Sequence, residues 1–515
     1  MKKITLLALS AVVAANACAQ QNPTAMKYAK LISAEDAKKH LSILASDEFE
    51  GRETGKPGAE KAANYIAAEF KRLGLQAPVK GSYFFDVPLV QNTLKVTTLT
   101  INGKPFALGQ DFLPNGTVPD NNVKATEFVF VGFGTDSELG STDLANKVVL
   151  WINEDKPEAG NTPNTSVRMG TARLQILKNL QSKNPSLILA VNGDLTNLLK
   201  RYGKSITSPR LTIKEDAGAP KIAGALHITP AMADELVKST GKTFADLKAA
   251  AATIPVVTAK TDLVAAYANE QTAVKAVDVV GFMPGTDLKD EVLVFSAHYD
   301  HIGLNPDGKD KVNNGADDDG SGTTGILEIA RAFSQAKKDG HGPRRSVLFL
   351  GNVGEEKGLL GSEYYTDHPV YPLANTITDL NIDMIGRVGE EYIGKPDSAN
   401  YVYSIGSAML SKDLHDIGEK ANDTYTKLKL DYKYDDPNDP NRFYYRSDHY
   451  NFAKHGVPII FYFNGVHADY HQPGDEVSKI NFPLLAKRTQ LVFYTGWELA
   501  NRDKKPVIDV TPPSK

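Results

Sequence analysis

The sequence predicts an α/β fold. The expected architecture is a three-layer α/β/α core around a mixed, mostly parallel sheet, with a smaller inserted α/β domain. In the C-terminal half, apolar stretches such as EVLVFS, RSVLFLG and PIIFYF alternate with helical stretches such as GTTGILEIARAFSQA. Strands that are apolar on both sides belong to sheets buried on both faces. The pattern of strand-like and helical stretches changes in the middle of the chain. A length of 515 residues also exceeds the usual size of one domain.

The N-terminal segment predicts helices followed by strands. In residues 33–75 apolar side chains recur at helical spacing, and a loop with Gly and Pro separates two amphipathic helices. FFDVPLV and LKVTTLTING then indicate strands, the second closing in an Asn-Gly turn. We assign residues 26–117 and 259–505 to the main domain. Residues 118–258 form the expected insertion, whose stretch FVFVGFGTDSELGSTDLANKVVLW resembles protease-associated domains.

The first residues, MKKITLLALSAVVAANACAQ, predict an export signal. Two lysines precede an apolar stretch from Ile4 to Ala15, and small residues surround Ala17, which is the layout of a secretory signal peptide. We place this signal at residues 1–17. Cys18 follows in ANAC, which resembles a bacterial lipobox, while cleavage by ordinary signal peptidase also fits. We therefore expect an exported protein that is periplasmic, anchored in the outer membrane by a lipid on Cys18, or extracellular.

Composition excludes several classes of function. The chain has 58 Lys and Arg against 62 Asp and Glu, a net charge of −4, and no long basic run, so we expect no nucleic acid as a partner. Cys18 is the one cysteine, which rules out a disulfide framework, a thiolate zinc site and a cysteine nucleophile. A metal would therefore need His, Asp and Glu ligands. Nothing in the sequence predicts an oligomeric state.

Acidic residues or histidines follow apolar strands at five places. Each place alone has an ordinary explanation, such as a solvated loop or a helix cap. Because the carboxyl ends of parallel strands meet at one edge of a sheet, the five turns would bring many carboxylates together. Such carboxylates repel one another unless a divalent cation neutralises them, and for imidazole and carboxylate donors zinc is the first choice, before cobalt or manganese. The stretches are SAHYDHIG (296–303), NNGADDDGSG (313–322), GNVGEEKG (351–358), LNIDMIGR (380–387) and NGVHADYHQPGDE (464–476).

These motifs, in this order, resemble the co-catalytic zinc aminopeptidases of metallopeptidase family 28. The stretch LASDEFEGRETGKPGAEKAANYIAAEFKRLGL also resembles the N-terminal region of their secreted bacterial members. The resemblance implies a zinc-peptidase-like α/β fold with two zinc ions per chain. It implies that Asp318 bridges the two ions and that His298 and Asp383 complete one site. Glu356 and His471 would complete the other site.

The resemblance also implies catalytic roles. Glu355 would be the general base that takes a proton from a metal-activated water. Asp300 would accept the imidazole N–H of His298 and so fix its tautomer. Tyr470 would steady the oxyanion, as a tyrosine does in some relatives.

Further details remain alternatives at this point. The family implies a cis peptide between Asp318 and Asp319. His301 is undecided between core packing and contact with a ligand residue. The loop 432–452, rich in Tyr, Asp and Pro, is expected at the rim of the cleft. Two alternatives are open for four side chains of this loop: they contact substrate, or they only pack within the protein. The four are Arg446, Ser447, Asp448 and His449.

The expected function is that of a secreted or lipid-anchored di-zinc aminopeptidase, with peptides as its substrates. Alternatives on the same metal core are a carboxypeptidase or a dipeptidase. A one-zinc transferase resembling glutaminyl cyclase, and a binding protein that has lost its ligands, are further alternatives. The complete ligand set and the adjacent glutamates argue against both. The preferred substrate side chain is not predicted.

Overall fold

The computed structural model describes residues 21–157, 163–215, 222–251, 253 and 256–511. The predicted signal at 1–17 and Cys18 lie outside these residues. The chain divides into two compact units, the first formed by residues up to Val87 and from Lys275 onward, and the second by Pro88–Val274. None of the helices in this described part is long and apolar enough to cross a bilayer.

The helices follow from ordinary start and stop signals. In α3, Pro57 occupies the first turn and Gly74, with φ of 81°, closes the C-terminus. In α9, the Asp319 side chain caps the N-terminus by accepting the N–H of Gly322. The helices are α1 (Pro23–Ala29), α2 (Ala34–Leu44), α3 (Pro57–Leu73), α4 (Asp136–Leu139), α5 (Thr171–Ser182), α6 (Leu195–Ile206), α7 (Pro230–Val237), α8 (Phe244–Ala250), α9 (Gly320–Lys338), α10 (Leu360–Asp367), α11 (Lys412–Ala421), α12 (His449–Lys454) and α13 (Phe482–Asn501).

The strands form one sheet in each unit. They are β1 (Phe84–Asp86), β2 (Leu89–Ile101), β3 (Lys104–Pro105), β4 (Phe112–Pro114), β5 (Asn121–Phe130), β6 (Val148–Ile152), β7 (Leu187–Val191), β8 (Arg210–Ile213), β9 (Ala225–Ile228), β10 (Val257–Val274), β11 (Val277–Met283), β12 (Leu288–His298), β13 (Arg345–Asn352), β14 (Thr376–Ile382), β15 (Tyr401–Ile405), β16 (Lys429–Asp431) and β17 (Ile459–Phe463).

The first unit contains an eight-stranded mixed sheet in the order β1-β11-β13-β12-β14-β17-β15-β16. Its centre is parallel, because β13, β12, β14 and β17 all run in the same direction. At one edge β1 pairs antiparallel with β11, from Phe84 opposite Val279 to Asp86 opposite Val277. The expected α/β class with a mixed, mostly parallel core is confirmed.

Both faces of this sheet are buried, as the continuously apolar strands predict. Val294 and Leu348 belong to a core cluster that includes Phe452 of α12. The neighbouring residues on the same strands, Phe295 and Phe349, point the other way. They stack on each other and contact Phe333 of α9. Helices therefore cover the sheet on both sides.

The second unit contains a nine-stranded sheet in the order β3-β2-β10-β5-β6-β7-β9-β4, with β8 pairing to β2. The run β5-β6-β7-β9 is parallel. Phe128 and Leu150 lie in the core cluster on one face, and Val149 and Trp151 lie in the cluster on the other. The resemblance of this unit to protease-associated domains stays a prediction.

The bounds of this unit differ from the predicted 118–258. The long strand β2 pairs over its whole length with the C-terminal part of β10, from Ile101 opposite Leu263 to Leu89 opposite Val274. Both strands therefore belong to the sheet of the second unit, so the predicted main-domain segments 26–117 and 259–505 each include a strand of the insertion.

Candidate metal centre

The candidate site lies at the carboxyl edge of the parallel strands in the first unit. His298 is the last residue of β12 and lies opposite Asn352, the last residue of β13. Asp383 follows β14 directly, and Glu355 follows β13 by a short turn. This is the edge at which α/β sheets build their sites.

The first group of possible ligands surrounds His298, whose side chain is almost fully buried. Its Nε2 atom lies 3.4 Å from Asp318 Oδ1, 3.6 Å from Asp383 Oδ2 and 3.9 Å from Glu355 Oε2. Atoms of His298, Glu355 and Asp383 lie within 4.8 Å of one another. The His298 Nε2 atom is buried without a hydrogen-bond partner, which suits a nitrogen that ligates a metal.

The second group lies on the other oxygen of Asp318. His471 Nε2 is 3.1 Å from Asp318 Oδ2 and 3.0 Å from Glu356 Oε2. The five residues predicted as ligands thus converge, with the two oxygens of Asp318 directed to different histidines. The donors are imidazole nitrogens and carboxylate oxygens, which are the donors that zinc accepts, so the residues fit a pair of zinc ions.

His301, undecided from the sequence, belongs to this second group. Its Nδ1 atom lies 2.8 Å from Glu356 Oε1 and 3.7 Å from Asp318 Oδ2. These three residues can also present ligand atoms within 4.8 Å of one another. The contact with Glu356 either orients that carboxylate or adds a donor to the group.

The electrostatics of the cluster reflect its crowded carboxylates. Burial lowers the pKa of His471, but its contacts with Asp318 and Glu356 outweigh burial and raise that pKa to about 10. Burial, joined by the charges of Glu356 and Asp383, raises the pKa of Glu355 well above its usual value. Carboxylates packed this closely favour a cationic partner.

Asp300 lies where it was predicted but makes a different contact. The His298 Nδ1 atom is 3.0 Å from the main-chain carbonyl of Asp300, whereas the nearer carboxylate oxygen is 3.8 Å away. The prediction named the right residue and the wrong acceptor: the main-chain carbonyl of Asp300, and not its carboxylate, lies within hydrogen-bond distance of the imidazole. The Asp300 carboxylate instead accepts from Thr54 Oγ1 at 2.6 Å and from the N–H of Glu355 at 3.2 Å, so it holds the turn that carries the predicted base.

Tyr470 lies beside the cluster. Its ring stacks on His471 with centroids 3.9 Å apart, and its hydroxyl accepts from Arg446 Nη2 at 3.2 Å. Tyr470 and Arg446 line a cavity of about 20 Å³. Three metal-centre carboxylates, Asp318, Glu355 and Asp383, line it too, and its apolar wall consists of Met384, Phe443, Phe461, Phe463 and Val466.

The loop 432–452 supplies side chains that support the site. Ser447 Oγ donates to Asp383 Oδ2 at 2.7 Å. Asp448 and His449 are fully buried, and the His449 ring contacts the carbonyl of Tyr444. Of the four candidates in this loop, Arg446 therefore lines the cavity and Ser447 contacts a ligand residue, while the other two pack inside the protein.

The loop that carries Asp318 is held by the carboxylates of Asp475 and Asp319, to which the sequence analysis gave no such role. The peptide between Asp318 and Asp319 is cis, as the resemblance implies. The Asp475 carboxylate accepts the N–H groups of Asp317 and Asp318 at 2.9–3.1 Å. Asp319 Oδ1 accepts the N–H of Met384 at 3.0 Å, which ties this loop to the turn after β14.

Arg52 fastens the same loop from the other side. It ends the short turn Asp47–Arg52 and is 1% exposed. Its guanidinium makes five hydrogen bonds, all to main-chain carbonyls, over 2.6–3.4 Å. The accepting oxygens belong to Leu44, Tyr299, Asn314, Gly315 and Asp318. The only signal in the sequence was its place in EGRETG, which also fits an exposed cation.

Comparison with known proteins places this unit among peptidases. Residues 278–496 match the model described as Peptidase family M28. Aminopeptidase YwaD of Bacillus subtilis (strain 168) is 27% identical over 242 residues, covering 44% of this chain and 46% of its own. Leucine aminopeptidase 2 of Trichophyton equinum is 28% identical over 234 residues, with 41% and 42% covered. The chain thus spans less than half the length of these two relatives.

Among solved structures, the aminopeptidase from Aneurinibacillus sp. strain AM-1 superposes with a TM-score of 0.55 at 20% sequence identity. The match covers 95% of this chain and 100% of that one. At this identity the likeness concerns the fold.

Proposed function

We propose that the protein is a di-zinc aminopeptidase that releases N-terminal residues from peptides, because residues 278–496 match the model of peptidase family M28. One observation carries the proposal: Asp318 and four other ligand residues from separate segments meet, with Glu355 beside them. The names of the curated relatives, which are aminopeptidases, agree with it.

Two sets of residues would hold the two ions, and Asp318 would contribute to both sets. His298 and Asp383 would complete the first set, and Glu356 and His471 the second. Zinc ions bound here would polarise the scissile carbonyl and favour deprotonation of water near neutral pH. Asp300, through its carbonyl, and Ser447 hold His298 and Asp383 in place.

Glu355 is the group of this chain that moves the proton. Its side chain is 11% exposed and lines the cavity beside the ligands, within reach of a substrate there. Its carboxylate can accept a proton from the attacking water and return it to the leaving amine. Tyr470, held by Arg446, offers a hydroxyl near the same cavity.

The cavity also indicates a substrate class. Its wall is mostly aromatic and aliphatic, with Met384, Phe461 and Phe463 among the lining residues. At about 20 Å³ the cavity is far smaller than a leucine side chain, so its wall must move apart before an apolar N-terminal side chain can bury its surface there, at a gain of about 25 cal/mol per Å². We therefore expect leucine and phenylalanine to be released faster than lysine or glutamate.

The test combines Glu355→Gln with a peptide panel. The variant should keep its zinc and lose activity on leucine p-nitroanilide by about 10²–10⁴-fold, because only proton transfer is removed. Glu363→Gln, the same change on α10 away from the cluster, should leave the rate unaltered. Near wild-type activity of Glu355→Gln would refute the assigned role.

The peptide panel separates the alternatives. A free peptide should be cleaved from its N-terminus, whereas its N-acetylated form should resist. Cleavage of the acetylated peptide from its C-terminus would indicate a carboxypeptidase, and cleavage of dipeptides alone would indicate a dipeptidase. One tightly held zinc ion, with pyroglutamate formed from N-terminal glutamine, would indicate the cyclase. Elemental analysis should give about two zinc per chain.

We further propose export through the signal at residues 1–17, with lipid attachment at Cys18 as the expected anchor. The basis is the sequence alone. Mass spectrometry of the mature protein from its native cell should find Cys18 as an acylated first residue. Cys18→Ala should then move the protein from the membrane fraction to the soluble fraction. A mature chain that begins after Cys18 would refute the anchor and keep the export.

A further inference from the structure

The second unit contains a cavity that the proposed peptidase chemistry does not use. Its volume is about 750 Å³, within the range of roughly 300–1,000 Å³ typical of ligand sites. Lining residues come from the segment 166–169, which follows β6, and from Asp194 to Ile206, which follow β7 and include α6. Crevices outside the carboxyl ends of parallel strands are where open α/β sheets bind ligands.

The cavity is positively charged. Arg168, Arg201 and Arg210 line it and are exposed. None of the three forms an ion pair with a residue in the described part of the chain, and Asp194 is the one acid among the lining residues. The whole protein carries a net charge of −4. The excess of positive charge at the cavity is therefore local and does not reflect the overall composition.

A buried histidine lies in the cavity wall without adding charge. His227 is 6% exposed, and its two ring nitrogens contact Asn153 at 3.3 Å and Asn115 at 3.2 Å. Burial, followed by the charges of Arg173 and Arg210, lowers its pKa to about 4. The charge offered to a ligand at neutral pH therefore comes from the arginines.

Apolar surface adjoins these cations. Leu174 is 45% exposed and Tyr202 43% exposed, and both line the cavity together with Met169, Leu198 and Ile206. Large apolar side chains left accessible beside one another mark a surface that a ligand covers. A simple inorganic anion would satisfy the arginines and leave this apolar wall wet.

We infer that the cavity binds an acidic peptide segment. Its Asp or Glu carboxylates pair with the guanidiniums of Arg168, Arg201 and Arg210, which match carboxylates in a two-point geometry. Its aliphatic side chains cover Leu174 and Tyr202. The site is separate in sequence from the metal centre, and binding there requires no catalysis.

The probe is a peptide of alternating Glu and Leu with an acetylated N-terminus and a neutral fluorophore on a C-terminal amide. The acetyl group removes the free amine, so the proposed peptidase does not consume it. Fluorescence anisotropy with the full chain should show binding at least tenfold tighter than that of the same peptide with Gln in place of Glu. Equal binding of the two peptides would overturn the inference.

A matched pair of variants locates the binding. Arg168→Gln, Arg201→Gln and Arg210→Gln together should weaken binding at least tenfold. A triple change at Lys124, Lys178 and Lys242, also to Gln, removes the same charge from exposed positions of the second unit outside the cavity and should alter affinity less than twofold. Equal losses in both, or displacement by inorganic phosphate as effective as by unlabelled peptide, would refute an acidic-peptide site.

Discussion

Replacing Arg52 with methionine tests how the metal-bearing loop is held. The substitution keeps an unbranched side chain in the buried space and removes five hydrogen bonds to main-chain carbonyls. Each such bond contributes about 1 kcal/mol net, and carbonyls left buried without a donor cost more. Release of a buried charge acts in the opposite direction. The free energy of unfolding should therefore fall by about 3–5 kcal/mol.

Arg345→Met is the matched control. Arg345 is also fully buried. It bonds Glu291 and the carbonyls of Leu499, Arg502 and Asp503, none of which lies in the metal-bearing loop. Both variants should lose stability to a similar degree. Only Arg52→Met should also lower zinc affinity, because three of its acceptors lie in 314–318.

The assay needs a signal from the first unit alone. The chain has two tryptophans, Trp151 in the second unit and Trp497 in α13 of the first. A Trp151→Phe background leaves Trp497 to report urea unfolding of the metal-free protein, and chelator competition gives zinc affinity. If Arg52→Met unfolds at wild-type urea concentration, or if both variants bind zinc equally well, the reasoning fails.

Three further outcomes follow from single contacts. Ser447→Ala removes the hydrogen bond to Asp383 and should lower zinc affinity about 10–100-fold, measured by chelator competition; unchanged affinity would show that Asp383 needs no such support. Gly496→Ala would place a Cβ 2.2 Å from Phe295 and should lower the free energy of unfolding in urea by about 1–3 kcal/mol. Gly418→Ala, with only an ordinary contact at 3.5 Å, should raise it by about 0.5–1 kcal/mol through helix propensity. Equal effects of the two substitutions would contradict the packing described for Gly496. Burial raises the pKa of Glu328 to about 7, so the folded state binds its proton more tightly than the unfolded chain and stability should fall as pH rises from about 4.5 to 7. Glu328→Gln should flatten this slope, and an unaltered slope would refute it.

The meeting of acidic and histidine side chains at one edge was predictable because it depends on local rules, whereas the individual ligands were named from the resemblance to family 28. Parallel strands such as β12 and β14 bring their carboxyl ends to one edge, so His298 and Asp383 could be placed together from the strand pattern alone. The α/β class followed from the same strands. What the pattern could not give is the atom used: Asp300 contacts His298 through its carbonyl because of the local course of the backbone after β12.

The features missed from the sequence depend on contacts distant along the chain. Arg52 and Asn314 meet across more than half of the sequence, so nothing near Arg52 indicates its burial. The bounds of the inserted unit were misplaced because the sequences of β2 and β10 indicate strands without indicating which sheet the strands join. Their pairings, of β10 with β2 and β5 and of β2 with β8, assign both strands to the second unit.

The pairing of β1 with β11 bears on how the chain was assembled. Asp86 and Val277 are opposite each other, and the Val87 N–H reaches the Ala276 carbonyl at 3.0 Å, so the chain leaves the first sheet and returns to it at neighbouring positions. A gene could gain or lose the intervening segment without re-pairing any strand of the first sheet. A minimal enzyme without the second unit is therefore best made by joining Val87 to Lys275 through a short Asn-Gly linker.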